Sequence, residues 1–191
     1  MKNLFILGSP RKNGNSATMA KTVAEGILQT SGNSIEYIYL NALNIQPCQG
    51  CGGCNKTGKC VIKDDMPELY TKTRAADRLF LVSPIYFYSV TAQLKCYIDR
   101  CQAQWARKYL IDHNKTKDSH GTGHLLSCAA TSGDKLFDGP ILIVKCLCDT
   151  LDIQYGPSLL LRNLERIDAL RKMPDKLAYC RNFGAELSEG Q

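Results

Sequence analysis

The chain has 191 residues, 44% hydrophobic and 22% charged, which excludes wholesale disorder and suits one domain with a sizeable core. Its 24 lysines and arginines outnumber 18 aspartates and glutamates by 6, a surplus too diffuse to argue for nucleic acid. Ten cysteines are too sparse for a small disulfide scaffold. With no export signal in view, they point to a reducing compartment in which some bind metal or do redox chemistry.

In chain order, short apolar runs alternate with amphipathic stretches, the pattern of an α/β fold with a parallel sheet. Strands are predicted over 2–7, 34–40, 78–82, 123–130 and 153–161. The first apolar run, Leu4 to Leu7, is too short for a signal-peptide core. Nothing approaches the roughly 18 apolar residues of a membrane span, so a soluble cytoplasmic protein with no membrane or nucleic-acid partner is expected. Helices are predicted over 15–30 (Ala17, Ala20, Ala24, Ile27, Leu28), 91–108 (Leu94, Ile98, Cys101, Trp105), 139–151 (Ile141, Val144, Cys148, Leu151) and 174–188 (Leu177, Cys180, Gly184, Leu187). Residues 41–65, rich in cysteine, and 109–121, polar, fit no regular element; the second reads as a flexible or inter-subunit segment.

Three loops follow three predicted strands on one side of the sheet. The first, Gly8-Ser9-Pro10-Arg11-Lys12-Asn13-Gly14-Asn15-Ser16, feeds a helix N-terminus, where backbone N–H groups and the helix dipole favour an anion. It carries neither a dinucleotide fingerprint nor the G-K-[ST] of an ATP loop, so the single phosphate of a mononucleotide suits it better. A capped turn, with Asn13 or Asn15 as the cap, would use the same residues. The second loop, Pro84-Ile85-Tyr86-Phe87-Tyr88, offers an apolar wall at the carboxyl end of a strand; core packing or a subunit interface is the alternative. The third is Thr131-Ser132-Gly133. Together they could enclose a phosphorylated planar ligand.

G-S-P-R-x-x-G-N-S near the N-terminus and S-P-I-Y-F-Y-S-V-T-A-Q-L-K-x-x-I-D-R in the middle resemble the flavodoxin-like NAD(P)H-dependent FMN reductases, over most of the chain to about residue 160. The resemblance implies a three-layer sandwich with a five-stranded parallel sheet in order 2-1-3-4-5. It implies FMN phosphate at Ser9, Arg11, Asn13, Asn15 and Ser16. The flavin ring would lie against Pro84, Ile85, Tyr86, Phe87 and Tyr88, with Thr131, Ser132 and Gly133 at its other edge.

Cys48-x2-Cys51-x2-Cys54-x5-Cys60 sits among Gly50, Gly52, Gly53 and Gly58. Short spacings let successive thiolates wrap one compact four-iron cubane, and the glycines permit a tight backbone around it. Zinc sites usually pair two separated C-x2-C knuckles; a loop with no metal is the remaining alternative. With the flavin loops, the run resembles the iron–sulfur flavoprotein branch. That implies a [4Fe–4S] cluster, FMN, and a homo-oligomer (dimer or tetramer) in which one subunit's cluster lies near a neighbour's flavin.

The chain is thus expected to be a single flavodoxin-like domain over 1–191 with a cluster loop at 47–62. It would be an oxidoreductase passing electrons between cluster and FMN, with ferredoxin or NAD(P)H suggested as donor and no side-chain catalytic base. A cluster-free NAD(P)H-dependent FMN or quinone reductase is the first alternative, and a non-catalytic metal-binding interaction module the second. Cys101, Cys128, Cys148 and Cys180 read as core residues, Cys96 and Cys146 carry no pattern, and His113, His120 and His124 read as surface.

Overall fold

In the computed structural model, which describes residues 1–112 and 121–189, five parallel strands lie side by side in the expected order 2-1-3-4-5. They are β1 (Lys2–Leu7), β2 (Ser34–Tyr39), β3 (Arg78–Pro84), β4 (Thr122–Cys128) and β5 (Gln154–Tyr155). A sixth, β6 (Leu159–Leu161), extends the β5 edge along β4. Alternate strand residues face opposite layers. Phe5, Leu7, Phe80, Val82 and Leu126 bury against α1 (Asn15–Ile27) and α6 (Pro174–Glu189). Leu4, Ile6, Leu79, Leu81 and Leu125 bury against α2 (Met66–Ala75), α3 (Ala92–Arg100) and α5 (Asp138–Thr150). Because both faces are covered, the strands read as continuous apolar runs. This is the flavodoxin-like three-layer sandwich.

The predicted strand 153–161 is broken, for a local reason. Pro157 has no N–H to give a ladder, and its carbonyl is 2.9 Å from Nδ1 of His124. A Cβ at Gly156 would lie 2.5 Å from the same ring. His124 is therefore not a surface residue: it is 1% exposed, stacked on Phe80 at 4.9 Å, with Nε2 2.8 Å from the Thr122 hydroxyl. His113 and His120 lie outside the described residues, as does most of the polar stretch 109–121.

The predicted helix 91–108 is two helices, α3 and α4 (Gln102–Ala106), followed by a π-helical turn over Arg107–Ile111. The break at Cys101 leaves Trp105 partly exposed rather than on a continuous buried stripe. Helix α2 has no counterpart among the predicted elements. Cys101, Cys128, Cys148 and Cys180 are buried as expected. Among the described residues no helix is long and apolar enough to cross a membrane.

Candidate functional site

Helix α1 starts directly after the first loop, and its first internal bond runs from Thr18 N–H to the Gly14 carbonyl, 3.0 Å. The N–H groups of Asn15, Ser16 and Ala17 thus have no acceptor within the helix, and the positive end of its dipole lies there. Gly14 occupies the cap position without a side-chain cap, so neither Asn13 nor Asn15 caps the helix. Ser9 Oγ accepts from Arg11 N–H (3.2 Å), rounding the loop. Ser16 Oγ is 3.2 Å from Cys128 Sγ, and burial keeps that cysteine a thiol by raising its pKa.

The second loop is held at its base. Ile85 N–H donates to the Cys128 carbonyl (2.8 Å), and Thr91, the N-cap of α3, donates its hydroxyl to the Gly8 carbonyl (2.6 Å). Between them Tyr86 and Ser89 exchange two backbone bonds of 3.0 Å, closing a two-residue turn with Phe87 at φ 48° and Tyr88 at φ 59°. Such a turn ordinarily takes Asn-Gly; two aromatic residues in left-handed backbone cost on the order of 1–3 kcal/mol each. The strain presents Phe87 wholly to solvent.

Ser9, Arg11, Asn15, Ser16, Pro84, Ile85 and Tyr86 line one cavity of about 230 Å³ at the carboxyl edge of the sheet. Asn13, Phe87, Tyr88, Thr131, Ser132 and Gly133 are exposed around it without lining it. Asn13 is engaged through its carbonyl, which accepts from Arg171 at 3.0 Å. Tyr88 leans over the third loop, its hydroxyl 3.8 Å from where a Cβ on Gly133 would stand.

Sequence reading missed a fourth wall, Leu164, Glu165 and Ile167. That segment is fastened by Asn15, whose amide Nδ2 donates to the carbonyls of Leu164 (3.2 Å) and Arg166 (2.7 Å). Its Oδ1 accepts from Leu170 N–H at 3.0 Å. With all three bonds made inside the protein, the Asn15 side chain shapes the cavity, and its backbone N–H remains for an anion.

The cysteine run forms a separate cavity of about 440 Å³, lined by Cys48, Cys51, Cys54 and Cys60 with Asp99, Arg100, Gln102 and Ala103 of the helical pair. Three left-handed glycines, Gly50, Gly52 and Gly58, shape the loop. Gly52 (φ 69°) starts the turn Gly53–Asn55, and Gly58 (φ 65°) is pressed so closely on Arg107 that a Cβ would lie 3.1 Å from that side chain. Burial raises the pKa of Cys54, and the neighbouring Cys60, Cys48 and Cys51 push in the same direction. Among the described residues no three His, Cys, Asp or Glu side chains converge as they would on a single ion; the thiols ring the cavity instead.

Beneath the loop lies a buried ion pair. Arg100 is 1% exposed, and both of its Nη atoms engage the fully buried Asp64 carboxylate. Arg100 Nη1 also donates to the Gln46 carbonyl at 2.8 Å. Asp64 accepts from the N–H groups of Gln46 (3.0 Å) and Met66 (3.1 Å). Burial alone would raise the Asp64 pKa, but Arg100 and these two N–H groups hold it below the usual carboxylate range.

The four-thiol set, glycine-shaped backbone and solvent-open cavity suit a multi-atom iron–sulfur group, which takes thiolate ligands. The helix-terminus cavity likewise suits a phosphate.

Among solved structures, the chain is similar to an NAD(P)H:quinone oxidoreductase from Methanothermobacter marburgensis, with TM-score 0.73 and 16% identity over 100% of this chain and 98% of that one. It is also similar to an FMN-dependent NADH-azoreductase from Bacillus anthracis, at TM-score 0.70 and 14% identity, covering 99% and 100% of the two chains. At these identities the likeness concerns the fold. In sequence, it is 43% identical over 100 residues to an iron-sulfur flavoprotein of Archaeoglobus fulgidus, covering 52% of this chain and 45% of the relative. It is 41% identical over 100 residues to one of Methanocaldococcus jannaschii, covering 52% and 51%. The chain spans about half the length of these curated relatives. The family profile described as NADPH-dependent FMN reductase matches residues 1–126. The chain belongs to the NADPH-dependent FMN reductase family, and within it resembles the iron–sulfur flavoproteins.

Proposed function

We propose that the chain is a flavin-dependent oxidoreductase, one flavodoxin-like domain that binds FMN in the cavity at the sheet edge and a [4Fe–4S] cluster in the cysteine cavity. The observation that carries this reading is the presence of all four cysteines of the run around one cavity, on a chain with a separate cavity that gathers the N-terminal loop and the loop after β3. When bound, FMN supplies a centre for one- or two-electron exchange and the cluster a one-electron centre.

The chain's own residues bind and orient. Backbone N–H groups of Asn15 to Ala17, with Ser9, Ser16 and Arg11, receive the phosphate; Asn13 stands at the rim. Pro84, Ile85 and Tyr86 form one wall for the ring, with Phe87 and Tyr88 over its open side and Thr131, Ser132 and Gly133 at its far edge. Cys48, Cys51, Cys54 and Cys60 are the cluster ligands. No side-chain base is needed, because protein groups set binding and electrostatics while the cofactors exchange electrons. NAD(P)H or ferredoxin is the proposed donor. A second copy of the chain in a homo-oligomer would bring one cluster near the neighbour's flavin.

The test is anaerobic purification with iron, sulfide and flavin analysis. Four irons, four labile sulfides and one FMN per chain are expected of a single cubane. Yellow, iron-free protein after anaerobic reconstitution would leave a cluster-free FMN or quinone reductase. Failure to bind FMN would overturn the flavin assignment and leave a metal-binding interaction module.

A further inference from the structure

Arg100 carries more polar capacity than its neighbours use. Its two Nη atoms are taken by Asp64 and the Gln46 carbonyl. Its Nε is buried and, among the described residues, has no hydrogen-bond partner. A buried donor left without an acceptor is destabilising, so such a group calls for a partner that the polypeptide does not provide. Arg100 lines the cavity of the four cysteines.

The ion pair also joins the two ends of the cysteine loop. Arg100 and Asp64 bind Gln46, two residues before Cys48, and Asp64 itself lies four residues after Cys60. Position and charge are fixed together. Asp64 offsets the net charge of Arg100, but Arg100 lines the cavity and Asp64 does not, so the field reaching the cavity is that of an oriented pair with its cationic partner on the cavity side.

We infer that Arg100 is a positioning residue that raises the reduction potential of the cluster held by Cys48, Cys51, Cys54 and Cys60, through its Nε–H and the cationic end of the Arg100–Asp64 pair. This rests on the cluster assignment proposed above. Adding one electron to a thiolate-ligated cluster makes it more anionic, and hydrogen bonds and nearby positive charge favour that form. Removing the donor disfavours reduction without removing any sulfur ligand.

The experiment is an anaerobic, dithionite-driven redox titration of the holoprotein, followed by electron paramagnetic resonance, beside iron and sulfide analysis. Arg100→Met fills similar space and has no N–H. Expected is a cluster retained at wild-type iron content whose reduction is about tenfold less favourable, a potential lower by about 59 mV for one electron. Should Arg100→Met fail to fold or to hold iron, Arg100→Lys supplies the reading. Lysine keeps the cation beside Asp64 but lacks Nε–H and the fork, and a smaller downward shift is expected. A wild-type potential in either iron-replete variant would overturn the inference. So would an iron-depleted variant whose remaining cluster keeps the wild-type potential, because Arg100 would then act only as a clamp. Iron-free wild-type protein would instead bring down the cluster assignment itself.

Discussion

Asn15 joins the sheet-edge cavity to a segment more than 140 residues away. Its amide makes three hydrogen bonds to main-chain groups of Leu164, Arg166 and Leu170, and the residue is 8% exposed. A typical net contribution is about 1 kcal/mol per bond, with a further penalty for main-chain groups left dry. Asn15→Ala should therefore cost roughly 2–4 kcal/mol in urea unfolding. It should also weaken FMN binding, because Leu164, Glu165 and Ile167 lose their anchor while the backbone N–H at position 15 survives. Asn15→Asp separates the two effects. It keeps the acceptor for Leu170 N–H but loses both donors, and its carboxylate faces two carbonyls and repels a phosphate. A fluorescence titration in which Asn15→Ala bound FMN like the wild type would show that this wall does not matter to the cofactor.

The strands and helices that the sequence revealed are those with regular apolar spacing. Residues 2–7 and 78–82 read as strands because both sheet faces are covered. The last helix was found with Gly184 on its buried stripe, although only the structure shows why a glycine stands there: a Cβ would collide with the Val23 carbonyl of α1. Helix α2 was missed because its buried set, Met66, Leu69, Tyr70 and Thr73, is short and ends in a polar residue whose hydroxyl is satisfied by Tyr97 at 2.7 Å. The cysteine spacing and the loop after β1 are local signals, so both cavities were anticipated. The wall at Leu164 and the Arg100–Asp64 pair are tertiary juxtapositions with no local pattern.

His124 is a further case, and it makes the β5–β6 edge sensitive to pH. Burial, with a smaller push from Arg78, lowers its pKa to about 4. The unfolded chain, at the ordinary value near 6.5, takes up a proton first as pH falls. The stabilisation from neutral His124 is therefore complete above about pH 6.5 and is lost progressively down to about pH 4. Urea unfolding should show about 2 kcal/mol less stability at pH 5 than at pH 7 from this group. His124→Gln should be less stable at pH 7 but lose correspondingly less on acidification. Equal losses in the two proteins would mean that the ring titrates normally in the fold.

Across the whole molecule, helix α3 links the two candidate centres. Thr91 at its N-cap bonds the Gly8 carbonyl in the loop after β1, and Arg100 in its last turn lines the cysteine cavity. The helix rise places these ends on the order of 13 Å apart. The linings of the two cavities share no residue, so each cofactor should load without the other. Ligand held at 100 times its dissociation constant stabilises the folded state by about 2.7 kcal/mol, which for a chain of this size is a rise of roughly 5–10 °C in Tm. FMN should give that rise in the apoprotein and equally in Cys54→Ala, which removes one proposed cluster ligand, a residue that does not line the sheet-edge cavity. Iron reconstitution should fail in Cys54→Ala while the FMN-dependent rise persists. If the rise disappears with Cys54, the cysteine loop must support the flavin cavity through α3, and the two centres form one cooperative unit.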